Sequence, residues 1–414
     1  MSMRHPTNST RFLNRLLIAA TGLILTACGG GGGDATTSSP SSTSPPASAT
    51  NVATVVVDGG PVGIPASLNA LYVSVTLCVP GTSTCQTIDH VLVDSGSSGL
   101  RIVGSTLDPG LALAQLTTAT GLAVGECTQF ATGYTWGSVR QADIRIAGEI
   151  AHSLPIQVIG DTTFSASAPA DCRGTGSNWG TVADLGAKGI LGIGLFAQDC
   201  GTACASQAIP GYYYACRAGN CSATALSLAK QVTNPVSAFA TNNNGVLLTL
   251  PAVPAGGATS LSGSMIFGIG TQSNNQLGNA TAYATDAYGN FTTTYKGRAM
   301  TASFLDSGSN ALFFPDAGIT RCTISPEFFC PANTLTLSAV NSAAGGTSGT
   351  VSFNIENLDN LPTSILAASI GGNASGVSSA NSFDWGLPFF FGRSVFIAIE
   401  GAGTPKGPGP YWAY

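Results

Sequence analysis

Val91-Leu92-Val93-Asp94-Ser95-Gly96-Ser97-Ser98-Gly99-Leu100 decides how this chain is read, because Ala302-Ser303-Phe304-Leu305-Asp306-Ser307-Gly308-Ser309-Asn310-Ala311-Leu312 repeats it. In each, an apolar run of β type stops at Asp-Ser-Gly-Ser and then resumes. A single Asp-Ser-Gly says little, since all three are ordinary turn residues. Two copies 212 positions apart, each closing a buried type of strand, point to two lobes that each bring one carboxylate to a shared site.

Placed face to face across a pseudo-twofold axis, Asp94 and Asp306 would lie within hydrogen-bond reach. Two carboxylates that close do not both ionise easily, so the pair shares one proton. One member can then act as general base on a water while the other protonates a carbonyl oxygen. Gly96 and Gly308 keep Cβ atoms out of the crowded centre. Ser95 and Ser307 can hydrogen-bond across the pair, and Ser97 and Ser309 can each donate to their own aspartate.

Composition narrows the alternatives. Only 8 % of residues are charged and 53 are glycine, while short β-branched runs broken by Gly, Asn, Asp and Pro recur, so the chain is expected to be mostly β. With the leader's Arg4, Arg11 and Arg15 removed, the 15 basic residues fall to 12 against 20 acidic ones, a net of −8. No basic patch is left to neutralise phosphates, which argues against a nucleic-acid partner. Only His90 and His152 follow the leader, both in strand-like runs, which disfavours Ser-His-Asp chemistry and histidine metal sites. No Gly-rich phosphate loop with its lysine is evident, so no cofactor and no metal are expected.

In chain order, residues 1–27 read as a signal peptide with a basic start and an apolar stretch from Leu16 to Leu25. Its end, Leu25-Thr26-Ala27-Cys28-Gly29, resembles the lipobox of bacterial lipoproteins. The resemblance implies cleavage before Cys28, its lipidation, and anchoring in the outer membrane of the cell envelope. Residues 28–50 form a Gly/Ser/Thr/Pro tether with nothing to fold around. The first β lobe is expected over residues 51–245 and the second over 246–414, with Asn242-Asn243-Asn244-Gly245 as the break. Cys127 to Gly148 reads as one long hairpin, and Ala223 to Gln231 as a short helix. Ten cysteines besides Cys28 allow five disulfides in an exported chain. Cys78 with Cys85 and Cys322 with Cys330 are the local pairs. Cys200, Cys204, Cys216 and Cys221 could pair nested or sequentially, and an oxidising compartment favours either over a zinc site.

The two Asp-Ser-Gly-Ser turns resemble the signature of the pepsin-like aspartic peptidases, and the chain also looks like a group of bacterial lipoproteins of undefined function. The resemblance covers roughly Leu71 to Glu400. It implies a bilobal, pepsin-like acid-protease fold: two pseudo-twofold-related β lobes with an interlobe cleft. Ile190-Leu191-Gly192 is similar to the element crossing behind the first catalytic turn, and Met265-Ile266-Phe267-Gly268 to the opening of the second lobe. The resemblance makes Asp94 and Asp306 catalytic. It assigns a flap over the cleft to Tyr134, Trp136 and Gly137 and implies a monomer that hydrolyses extended peptide or protein. Two positions depart from the family pattern. Arg101 stands where a tryptophan is usual and is read as a charge at the rim. Asp384-Trp385-Gly386 replaces an apolar-apolar-Gly element. The competing functional reading is a catalytically silent binding or envelope lipoprotein on the same fold.

Overall fold

The structure, a computed structural model, describes residues 50–164, 166–373 and 381–414. The expected signal peptide, the lipidation residue Cys28 and the tether up to residue 49 lie outside the described residues. The protein is mostly β with barrel-like sheets. Among the described residues no helix exceeds five residues. That follows from the sequence pattern: alternation at period two dominates, as in Ser348–Ile355, where Val351, Phe353 and Ile355 are buried and Thr350, Ser352 and Asn354 are exposed.

The decisive local arrangement occurs twice. Strand Cys85–Asp94 runs parallel to Gly189–Ile193, which also pairs antiparallel with Ser98–Val103. Strand Arg298–Leu305 runs parallel to Asp384–Trp385, which also pairs antiparallel with Leu312–Phe313. Each Asp-Ser-Gly-Ser turn therefore joins two strands that are held apart by a third. Gly192 and Gly386 permit this. A Cβ on Gly192 would sit 2.7 Å from the Ser98 backbone, and one on Gly386 would sit 2.1 Å from the Ala311 oxygen. Fully enclosed on both edges, Gly189–Ile193 is buried at every position, as an apolar run without alternation requires.

The expected break near residue 245 is bridged by sheet. Val52–Val57 pairs with Leu71–Cys78 and also with Leu261–Phe267, which pairs with Gly245–Thr249. One apolar core runs through both halves, from Val55 and Leu71 to Phe383 and Trp385. At its C-terminal end Phe383 stacks on Trp385 at 4.0 Å and on Phe314 at 4.6 Å. The Trp385 indole donates to Thr293 Oγ1 at 3.0 Å, so its single polar group is satisfied inside the core.

Five disulfides form: Cys78–Cys85, Cys127–Cys172, Cys200–Cys204, Cys216–Cys221 and Cys322–Cys330. The four-cysteine region is thus paired sequentially, which leaves no thiolates there for zinc. Two local expectations are corrected. Ala223 to Gln231 is not a helix: strand Asn220–Ala223 is followed by one 3₁₀ turn, Leu228–Lys230. Backbone hydrogen bonds from Thr224 to Tyr213 and from Leu226 to Cys204 hold the segment extended, so tertiary pairing overrides its local helix preference. Cys127 to Gly148 is not one hairpin. Strand Gly133–Ile146 is the shared arm of two, pairing with Ala123–Gln129 on one side and Glu149–Ile159 on the other.

Arg101 is not a rim charge. It is completely buried, donating to Glu126 Oε1 at 2.7 Å, to Asp199 Oδ2 at 3.3 Å and to the Ser98 oxygen at 2.9 Å. Burial pulls the guanidinium down, yet Glu126 and Asp199 outweigh it and hold it above its ordinary value. Burial and the nearby Glu126 charge push Asp199 well above the usual carboxylate range. Removing one partner of such a cluster strands the rest in a desolvated site. Arg101→Met is therefore expected to lose about 3–5 kcal/mol of stability in chemical denaturation. The loss should be smaller at pH 5 than at pH 8, because Asp199, already pushed above the usual carboxylate range, takes up a proton more readily at the lower pH; equal losses at both would contradict the assignment.

Candidate active site

The two turns meet at the floor of a cavity of about 650 Å³ that Asp94 and Asp306 both line. The register of their flanking strands delivers each aspartate at the end of an apolar run. Reciprocal hydrogen bonds then lock the turns together. The Ser95 amide donates to Ser307 Oγ at 3.0 Å, and the Ser307 amide donates to Ser95 Oγ at 2.9 Å. Each hydroxyl in turn donates across the pair, Ser95 to the Leu305 oxygen at 3.1 Å and Ser307 to the Val93 oxygen at 2.8 Å. All four groups are buried and satisfied.

Each carboxyl is also held by its own turn. Asp94 Oδ1 accepts from the Gly96 amide at 2.8 Å, and its Oδ2 from the Ser97 hydroxyl. Asp306 Oδ1 accepts from the amides of Gly308 at 2.8 Å and Ser309 at 3.2 Å, and its Oδ2 from Ser309 Oγ at 2.9 Å. Each carboxyl lies over the other turn's glycine. A Cβ on Gly96 would sit 2.7 Å from Asp306 Cγ, and one on Gly308 would sit 2.8 Å from Asp94 Oδ1. Glycine is required at both places so that the carboxyls can approach, not to permit an unusual backbone conformation.

Burial and then the neighbouring Asp94 charge push Asp306 up to about 8, against the opposing pull of its hydrogen bonds from Ser309 and Gly308. A third carboxyl stands behind it. Asp384 is 1 % exposed, and its Oδ2 lies 2.7 Å from Ser309 Oγ. Burial, then the Asp306 charge, push it well above the usual carboxylate range.

The structure brings together Asp94, Ser95, Gly96, Ser97, Asp306, Ser307, Gly308 and Ser309 as the sequence reading expects. The flap residues are placed differently. Tyr134, Trp136 and Gly137 do not line the cavity. Trp136 packs against Tyr214 and Phe164 and donates its indole N–H to the Ala166 oxygen at 2.7 Å. Tyr134 is buried in the same cluster. Gly137 lies against Ile159 in the sheet, where a Cβ would collide with the Val158 oxygen. The hairpin reaches the cavity through its tip, Phe130, Ala131 and Thr132, instead. Phe130 stacks on Trp179 at 5.1 Å, and Trp179 lies so close to Gly133 that only glycine fits there. The Cys127–Cys172 disulfide braces the hairpin's first strand. The Thr132-Gly133 pair marks that turn in the sequence. Neither histidine lines the cavity: His90 sits between Asp58 and Asp89, and His152 is exposed beside Asp143.

These features define a mostly β protein with two carboxyls paired at the base of a cleft. A family model described as a protein of unknown function (DUF3443) matches residues 47–414, and the chain belongs to that family. No curated protein matches the sequence.

The raised carboxyls give stability a definite slope with pH. Asp306 and Asp384 keep protons in the folded state that the unfolded chain releases above about pH 4. Their stabilisation is complete below that value and is lost as pH rises through the folded one. Carboxyls held low, such as Asp161 and Asp316, act below this window. Urea denaturation from pH 4 to 7 is expected to show stability falling by about 1.4 kcal/mol per pH unit for each retained proton. The slope should be shallower in Asp306→Asn by one such proton; an unchanged slope would mean that Asp306 ionises normally.

Proposed function

We propose that the protein is an aspartic-type endopeptidase of pepsin-like bilobal architecture that hydrolyses extended peptide in the cleft. One observation carries the reading: two Asp-Ser-Gly-Ser turns are held face to face by reciprocal serine hydrogen bonds, each carboxyl against the other turn's glycine. Such a pair accommodates one proton and one negative charge better than two charges. Asp306, the member pushed up, is assigned the proton, and Asp94 the role of base.

A water between the carboxyls loses a proton to Asp94 as its oxygen attacks the scissile carbonyl carbon. Asp306 gives its proton to the carbonyl oxygen in the same step. Collapse of the tetrahedral diol breaks the C–N bond: the proton on Asp94 passes to the leaving amine, and one hydroxyl proton of the diol returns to Asp306, so the products are a carboxylic acid, an amine and the pair with its single proton restored. The hydrogen bonds from Gly96, Ser97, Gly308 and Ser309 keep both carboxyls oriented, so little reorganisation accompanies the charge movement. The aromatic wall of Phe130, Trp179, Phe313 and Phe328 lines the cleft beside the pair, which suits apolar side chains of the peptide. Tethering to the outer membrane through Cys28 belongs to the same proposal and places the substrate in the cell envelope.

The test is digestion of a mixed peptide library by the full chain produced in an oxidising compartment, with cuts read by mass spectrometry. Wild type is expected to cut. Asp94→Asn and Asp306→Asn are each expected to fall by a factor of about 10²–10⁴ while keeping the fold. Undiminished cutting by both variants would sink the mechanism, and a folded wild type that binds peptides without cutting any would favour the silent binding protein.

A further inference from the structure

The two halves of the site match in register, but the residue behind each turn differs in chemistry. Ile190 lies opposite Leu92 on the strand behind the first turn, and Asp384 lies opposite Phe304 on the strand behind the second. Ser97 therefore has an isoleucine at the matching place, whereas Ser309 has an acid 2.7 Å from its hydroxyl. An acid inside an apolar strand needs a reason, because its alternative at the matching place is a side chain that packs at no electrostatic cost.

The surroundings of Asp384 fix its protonation. It is flanked by Phe304 and Phe313 through the sheet and is followed by the buried Trp385. The titratable groups acting on it are Asp306 and Asp94, both acidic. Its Oδ1 is buried without a hydrogen-bond partner among the described residues. An ionised carboxylate there would leave one oxygen desolvated and would add a third negative charge beside two others. The group must carry a proton, and only Oδ2 has an acceptor in reach, namely Ser309 Oγ. A hydroxyl has one hydrogen. With Asp384 donating to it, Ser309 must direct its own hydrogen to Asp306 Oδ2, 2.9 Å away.

We propose that Asp384 is a third, protonated carboxyl of the site, a positioning residue that holds Ser309 as a one-way donor to Asp306 and so sets the pH range over which the carboxyl pair carries its single proton. The site then holds two protons among three carboxyls. The chain Asp384 to Ser309 to Asp306 is polarised along its length, which strengthens the last hydrogen bond and favours the ionised form of Asp306. The first half has no counterpart, so the pair is unsymmetrical before any substrate arrives. The catalytic consequence rests on the aspartic-peptidase reading, whereas the protonation of Asp384 and its effect on Asp306 do not.

Infrared titration of the full chain tests this without relying on activity. Wild type minus Asp384→Asn at pH 7 is expected to show a protonated-carboxyl carbonyl band belonging to Asp384. A carboxylate band in its place would overturn the proposal. The Asp306 band is assigned by its loss in Asp306→Asn, and its midpoint is then followed in two variants. Asp384→Asn, whose amide still donates to Ser309, should leave that midpoint where wild type has it. Asp384→Leu, which cannot donate, should raise it by about 0.3 pH unit, the size of the cooperative strengthening lost from the Ser309 hydrogen bond to Asp306. Equal midpoints in Asn and Leu variants would show that Asp384 only fills space. If Asp384→Leu fails to fold, Ser309→Ala is measured instead and should raise the Asp306 midpoint in the same direction; no shift there would overturn the relay. A wild type that shows the band and the shifts but cuts no peptide would retain the three-carboxyl assignment and discard the peptidase reading.

Discussion

The exchange of hydrogen bonds between Ser95 and Ser307 is the constraint on which the site depends. Each serine gives its amide to the other's hydroxyl and its hydroxyl to a backbone oxygen of the opposite strand. Neither turn can shift along its strand without breaking both sets. The carboxyls of Asp94 and Asp306 are thereby forced together although their charges repel. The energy that opposes this is drawn from the apolar core beneath, where Val93, Leu191, Leu305 and Trp385 are completely buried. Placing like charges in contact is a cost that the fold bears at one point, and the raised protonation of Asp306 is its chemical result.

Two features keep the arrangement workable. Glycines at 96 and 308 remove the side chains that would separate the carboxyls. The strand threaded between the arms of each turn fixes the backbone on both sides, so the aspartates sit on rigid elements. Away from the pair, the buried Arg101 cluster links the strand after the first turn to the first strand of the hairpin through Glu126. The cleft floor and the hairpin over it thus share one charged tie.

Much of this was legible in the sequence, and the reasons differ by element. The crossing strand at Ile190-Leu191-Gly192 was legible through the family resemblance, whereas the paired turns and their serines are local patterns that carry their meaning in consecutive residues. Cys78–Cys85 and Cys322–Cys330 were legible for the same reason, whereas the sequence left nested and sequential pairing open for Cys200, Cys204, Cys216 and Cys221, and Cys127–Cys172 depends on how the hairpin folds back. The flap was assigned to Tyr134, Trp136 and Gly137 on the family resemblance, because they fall between the first Asp-Ser-Gly-Ser turn and Ile190-Leu191-Gly192. The tip lies earlier, at 130–132, since the strand from Gly133 onward has two pairing partners and turns its aromatics inward. Arg101 looked like a surface charge because its partners, Glu126 and Asp199, are 25 and 98 residues away. Asp384 was visible as a departure from an apolar element, but its role depends on Ser309, 75 residues earlier. Sequence pattern reports periodicity and turns well and long-range polar pairing poorly.

In the proposed function, two facing carboxyls do the chemistry with one shared proton. The most direct measurement is the pH dependence of kcat/KM for a peptide that the wild-type chain cuts. One carboxyl acting as base and one as acid require a bell-shaped profile with an acid limb and an alkaline limb. That bell is expected, with its alkaline limb set by the raised Asp306. A rate that climbs steadily into alkaline pH would contradict it.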